Sequence, residues 1–139
     1  MIAVDTNVLV YAHREEYPNH TEAKAKIIGL ALGAAPWGVP VFCLGEFVRV
    51  VTHRRVLSPP SSLEQATAFL DRLTESSSFR VLLPDVDYWG DLKSALAMAN
   101  ARGNLAFDAQ IVALCVRHGA TLLTADRDFA RFSIRTESL

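Results

Sequence analysis

Short apolar runs, each handing over to a longer segment of helical periodicity, constrain this chain more than any other feature. Ile2-Ala3-Val4 is the first run and ends on Asp5-Thr6-Asn7. A short helix is expected from about Asn7 to His13. Asn19, with Glu22 three residues on, resembles a capping box and opens a helix to about Ala35, with Ala23, Ile27, Leu30 and Ala34 on its apolar face. Pro36-Trp37-Gly38 breaks it, and Val39-Pro40-Val41-Phe42 reads as a second strand with its Pro near the start. A helix from about Leu44 to Arg54 follows, then the turn Ser58-Pro59-Pro60. Ser61-Ser62-Leu63-Glu64 has the Ser-x-x-Glu spacing of a capping box, and its helix points Leu63, Ala66, Leu70 and Leu73 inward.

After the link Ser76-Ser77-Ser78, Phe79-Arg80-Val81-Leu82-Leu83 is a third strand. Pro84-Asp85-Val86-Asp87 opens a helix whose stripe of Trp89, Leu92, Leu96 and Ala99 reads as core, and Gly103-Asn104 closes it. Ala106 to His118 is a further helix with Phe107, Ile111 and Leu114 inward and Gly119 at its C-terminal cap. Ala120 to Thr124 is a fourth strand, and Asp126-Arg127-Asp128-Phe129 starts a final turn. Strands alternating with helices predict an α/β domain with a central, mainly parallel sheet flanked on both faces by helices. Its 139 residues suit a single domain over 1–139.

Parallel α/β sheets gather functional groups at the carboxyl ends of their strands. Asp5, Glu46 and Asp126 stand at or just after expected strand ends, Asp108 lies in the first turn of a helix, and Asp128 is close to Asp126. Asp5, Glu46 and Asp108 have apolar neighbours and no adjacent Lys or Arg. A carboxylate in such company must be paired, protonated or metal-bound. Acids sharing one site repel and raise one another's pKa, and a hard divalent cation removes that repulsion. Such a site suits phosphoryl chemistry. No thiol or histidine cluster suggests zinc, and no Gly-rich phosphate loop or Gly-x-Ser-x-Gly element is present. Each acid also has a plain structural reading. Asp5 could cap the next helix, Asp108 could be a dipole-favoured surface acid, Glu46 could pair with Arg49, and Asp126 and Asp128 are ordinary turn residues.

Taken in order, Ile2 to Ala12, Leu44 to Val50, Leu105 to Ala109 and Ala120 to Phe129 resemble the PIN-domain nucleases, specifically the VapC-like toxins of bacterial toxin–antitoxin pairs. The opening Asp-Thr-Asn and closing Thr-x-Asp-x-Asp-Phe are each moderately specific, and the signal is strong because all four segments occur in order and span the chain; Ser58 to Asn104 matches only in helical pattern and length. The resemblance implies that Asp5, Glu46, Asp108 and Asp126 ligate Mg²⁺ or Mn²⁺ and that Thr6, Asn7 and Thr124 support them. Asp128 is left as an outer ligand or a structural cap. It implies metal-dependent hydrolysis of RNA phosphodiesters, a homodimer, and a cognate VapB-like antitoxin. A PIN-like domain that binds RNA or protein without catalysis is the alternative. Phosphatases of the haloacid dehalogenase type need a second Asp where this chain has Asn7, and receiver domains need paired acids before Asp5.

The net charge of −1 means that RNA binding needs a local basic patch or bound cations. Arg49 and His53 fall on the helical face of Glu46, and Arg14 ends the first helix, so these are candidate phosphate contacts. Arg54 and Arg55 either join them or simply favour a helix C-terminus. Cys43 and Cys115 sit in apolar surroundings and are expected as buried free thiols in a reducing compartment. Asp5 interrupts the first apolar run, and Gly29, Gly33, Pro36 and Gly38 break the stretch from Ile27 to Val39. A cytoplasmic chain with no membrane association is therefore expected.

Overall fold

A computed structural model describes residues 1–139. The chain runs β1 (Ile2–Val4), α1 (Thr6–His13), α2 (His20–Leu32), β2 (Trp37–Pro40), α3 (Val41–Val51), α4 (Leu63–Thr74), β3 (Phe79–Leu82), α5 (Tyr88–Ala99), α6 (Leu105–His118), β4 (Thr121–Thr124), a 3-10 turn (Arg127–Arg131) and β5 (Thr136–Ser138). The strands form one sheet in the order β3-β2-β1-β4-β5, and every pairing is parallel. All four residues of β2 are buried, which requires cover on both faces. No helix is long and apolar enough to cross a membrane.

The core is one apolar cluster of 31 buried residues. Trp37, Phe47 and Phe129 are its largest members, and Phe47 stacks on Phe69 with ring centroids 5.1 Å apart. Each such burial removes enough apolar surface from water to contribute ~1.5–3 kcal/mol. Cys43 and Cys115 are buried free thiols, as their surroundings predicted.

Several boundaries differ from the sequence reading for definable reasons. β2 is Trp37–Pro40, not Val39–Phe42, because Pro40 ends the strand and caps α3 instead of starting the strand. Gly38 belongs inside β2: a Cβ there would run into the Arg80 carbonyl of β3 and crowd the Leu82 side chain. The capping box of α4 is Ser62 with Gln65, which exchange bonds of 3.1 and 2.9 Å. Ser61 is instead buried against His13 and Arg14. Two adjacent serines each had an acceptor three residues on, and only tertiary packing chose between them. Asn19 makes no side-chain cap, and α2 stops at Leu32.

Helical phase differs from the sequence expectation at three aromatic or aliphatic positions. α5 begins at Tyr88, whose ring packs on Phe42 at 5.7 Å, so the inward stripe is Tyr88, Leu92, Ala95, Leu96 and Ala99. Trp89 therefore faces out and is 62% exposed. The helix ends on Asn100 in the left-handed region (φ 45°), before Gly103. Leu63 is exposed at the start of α4, and Phe107 is exposed rather than core. Gly119 does cap α6, with φ 61°. The strand β5 has no apolar residue and was not foreseen.

Candidate metal centre

β1 and β4 are neighbours at the middle of the sheet, and their carboxyl ends bring residues 119 apart into contact. Asp5 leaves the end of β1 and serves as N-cap of α1, its Oδ1 accepting from Thr6 N at 2.7 Å. The other oxygen, Oδ2, accepts from Asn7 Nδ2 at 2.7 Å and from Thr124 Oγ1 at 2.6 Å. The capping role and the site role are thus performed by different oxygens of one carboxylate. Asn7 Oδ1 accepts from Ala125 N at 3.1 Å, and Thr124 Oγ1 accepts from Asp126 N at 3.0 Å. These bonds lock the turn after β4 to the first turn of α1.

Glu46 comes from α3, where Thr6 Oγ1 donates to its Oε2 at 2.8 Å and Arg49 approaches its Oε1 at 3.5 Å. Asp126 caps the 3-10 turn by accepting from Asp128 N at 2.8 Å. Asp108 projects from the first turn of α6. Asp5, Glu46, Asp108 and Asp126 line one cavity of about 300 Å³, together with Thr6 and Asn7. A wider groove of about 800 Å³ is lined by Glu46, Arg49, Asp108, Asp126 and Asp128.

Burial pushes the Asp5 carboxyl up to about 6; hydrogen bonds from Thr124 and Thr6 oppose the rise, while Glu46 and Asp126 add to it. Burial also raises Asp108 to about 6, followed by the charges of Asp126, Asp5, Asp128 and Glu46, and no hydrogen bond opposes it. The charges of Asp126 and Glu46 act on both acids, and that of Asp5 adds to the rise of Asp108. As they stand, no three His, Cys, Asp or Glu side chains are close enough to hold a metal ion. The donor chemistry nevertheless suits one: the cavity collects oxygen ligands and has no Lys, Arg or His in its wall.

The proposed phosphate contacts are dispersed. Arg49 borders the groove. Arg14 is turned away into a separate cleft, where it pairs with Glu16 at 2.6 Å and donates to Ser61 Oγ and Pro59 O at 3.0 and 2.8 Å. His53 lies beyond the end of α3 at Val51, so it does not continue the Glu46–Arg49 helical face. The sequence reading missed Tyr11 and Tyr17, which line the cavity with ring centroids 4.9 Å apart, and Asn104 and Gln110, which line the groove. Tyr11 lies within the Ile2–Ala12 segment and so carried a positional signal; the others carried none.

The model of the PIN domain family matches residues 2–134. Ribonuclease VapC43 of Mycobacterium tuberculosis is 38% identical over 132 residues, covering 95% of this chain and 90% of that protein. Ribonuclease VapC31 of the same species is 33% identical, covering 96% and 94%. VapBC2 from Rickettsia felis, solved bound to a DNA fragment from its promoter, shares the fold with a TM-score of 0.68 and 23% identity, covering 99% of this chain and 98% of that one. With four carboxylates at the carboxyl edge of a parallel sheet and family likeness along nearly its whole length, the chain belongs to the PIN domain family, and its curated relatives within that family are VapC ribonucleases.

Proposed function

We propose that this chain is an endoribonuclease that hydrolyses RNA phosphodiesters with Mg²⁺ or Mn²⁺, and that it is the toxin of a VapBC-type pair. The observation that carries the reading is the shared cavity of Asp5, Glu46, Asp108 and Asp126, in which two acids are pushed up to about 6 with no cationic side chain in the wall. These four acids would hold the ion. The chemistry such an ion supplies is activation of a water and neutralisation of phosphate charge.

The rest of the site positions those acids. Thr124 and Asn7 hold Asp5 Oδ2, and Thr6 fixes the rotamer of Glu46. Asp108 has no such hydrogen-bonded restraint and lines the same cavity. The backbone N–H of Asp128 donates to Asp126 Oδ1, and its carboxylate lines the outer groove as a further negative group. A cognate VapB-like antitoxin belongs to the same proposal, supported by relatives named VapC and by a VapBC structure of the same fold; a homodimer is proposed with it from the family resemblance alone. The test is RNA cleavage by the purified chain with EDTA, then with added Mg²⁺ or Mn²⁺. Cleavage should stop and return; undiminished cleavage in EDTA would overturn the metal assignment. RNA binding with no cleavage under either ion would leave a non-catalytic RNA-binding module.

A further inference from the structure

Phe107 stands one residue before Asp108 in the first turn of α6 and is 66% exposed. The neighbouring α6 residues Ala109, Ile111 and Val112 are buried, so the ring is not needed to seat the helix. It opens instead onto the groove shared by Glu46, Arg49, Asp108 and Asp126. Phe42 gives that groove a second apolar wall, backed by Tyr88 at 5.7 Å. Asn104 and Gln110 lie three residues to either side of Phe107 and line the same space. Asn104 makes no side-chain cap to α6, so its amide is available to a ligand. Arg49 is the groove's one basic side chain.

An exposed aromatic face, two amides and one guanidinium beside a carboxylate cavity match the parts of a nucleotide: base plane, base edge and phosphate. Bases in a duplex already stack on each other, so a protein ring can take the face only of an unpaired one. We propose that this groove seats an unpaired nucleotide of single-stranded RNA next to the bond that is cut. Its base stacks on Phe107, its edge meets Asn104 and Gln110, and its phosphate lies towards Arg49. The inference rests on the nuclease reading above.

The test is steady-state cleavage of a single-stranded oligoribonucleotide that the wild type cuts, with 2-aminopurine beside the cut. Wild type, Phe107→Ala and Phe107→Tyr are compared with Mn²⁺ present, and each protein's mass in solution is measured. Phe107→Ala should raise KM about tenfold, equivalent to ~1.4 kcal/mol of lost stacking, with kcat within about twofold. It should also abolish the stacking quench of 2-aminopurine, and Phe107→Tyr should restore both. Unchanged KM and quench in Phe107→Ala would overturn the inference while the nuclease reading stood. A change of mass with KM unchanged would assign Phe107 to a protein contact and overturn it equally. If the wild type cuts no RNA, the nuclease reading fails and this inference with it.

Discussion

Replacing Asp108 by Asn removes one charge from the carboxylate cluster without breaking a hydrogen bond. The carboxyl is raised from 3.8 to about 6 in the folded protein. A raised folded pKa means that the fold holds the proton more tightly than the unfolded chain does. The ionised cluster therefore costs nothing below about pH 4, costs progressively more up to about pH 6, and costs a constant amount above it. A shift of about two units corresponds to ~3 kcal/mol, which solvent screening of this half-buried group reduces to about 1–1.5 kcal/mol. Asn also loses the favourable interaction with the N-terminus of α6, ~0.3–1 kcal/mol. The net gain is then ~0–1.2 kcal/mol, centred near ~0.6 kcal/mol, at pH 7.5.

An unfolding entropy of ~2.1 cal/mol/K per residue, over 139 residues, converts the central value into a Tm rise of about 2 °C in EDTA. The assay is thermal melting of wild type and Asp108→Asn in EDTA at pH 4 and pH 7.5, then in Mn²⁺ at pH 7.5. The Tm advantage should vanish at pH 4, the Mn²⁺ increment should shrink in the variant, and cleavage should be lost. A lower Tm in EDTA at pH 7.5 together with an unchanged Mn²⁺ increment would refute the reasoning, because an isolated first-turn acid behaves that way.

Arg49→Ala should weaken RNA binding and lower the slope of log affinity against log salt by about 1, measured by fluorescence anisotropy over a salt series; an unchanged slope would remove Arg49 from the RNA path. Gly38→Ala should lower the Tm by roughly 3–10 °C, the equivalent of ~1–3 kcal/mol of overpacking against β3; an unchanged melt would mean that β2 and β3 separate at little cost. Burial holds the Cys43 thiol far above its usual range and Cys115 at about 12, so neither should react with a thiol reagent at pH 8 until the chain is denatured. Stoichiometric labelling of the native protein would contradict the packing around them.

Where local chemistry dictated structure, the sequence was readable. Asp5, Asp126 and Gly119 announce themselves through a strand end, a turn and a positive φ, and each stands where that logic put it. The carboxylates could be grouped because a parallel sheet has one carboxyl edge. Orientation around a helix axis was harder. Trp89 and Phe107 each sit in an apolar stretch where more than one stripe fits, and the observed phase is set by contacts such as Phe42–Tyr88 between distant segments. β5 was hidden because Thr136, Glu137 and Ser138 form an edge strand with little core to face; only their pairing with Leu122, Leu123 and Thr124 makes them a strand. Arg14 shows the limit for charges: its position at the end of α1 was clear, but its partners Glu16 and Ser61 came from the folded chain.

The bond between Thr124 and Asp5 closes a loop of 119 residues, and that separation has a consequence during synthesis. A ribosome adding ~5–20 residues per second needs about 6–24 s between making one partner and making the other. Throughout that interval the growing chain contains Asp5, Glu46 and then Asp108, but neither the strand that seats Asp5 nor Asp126. Until β4 has been made, the growing polypeptide lacks both Thr124 and Asp126, and the four carboxylates can be gathered only once β4 pairs beside β1.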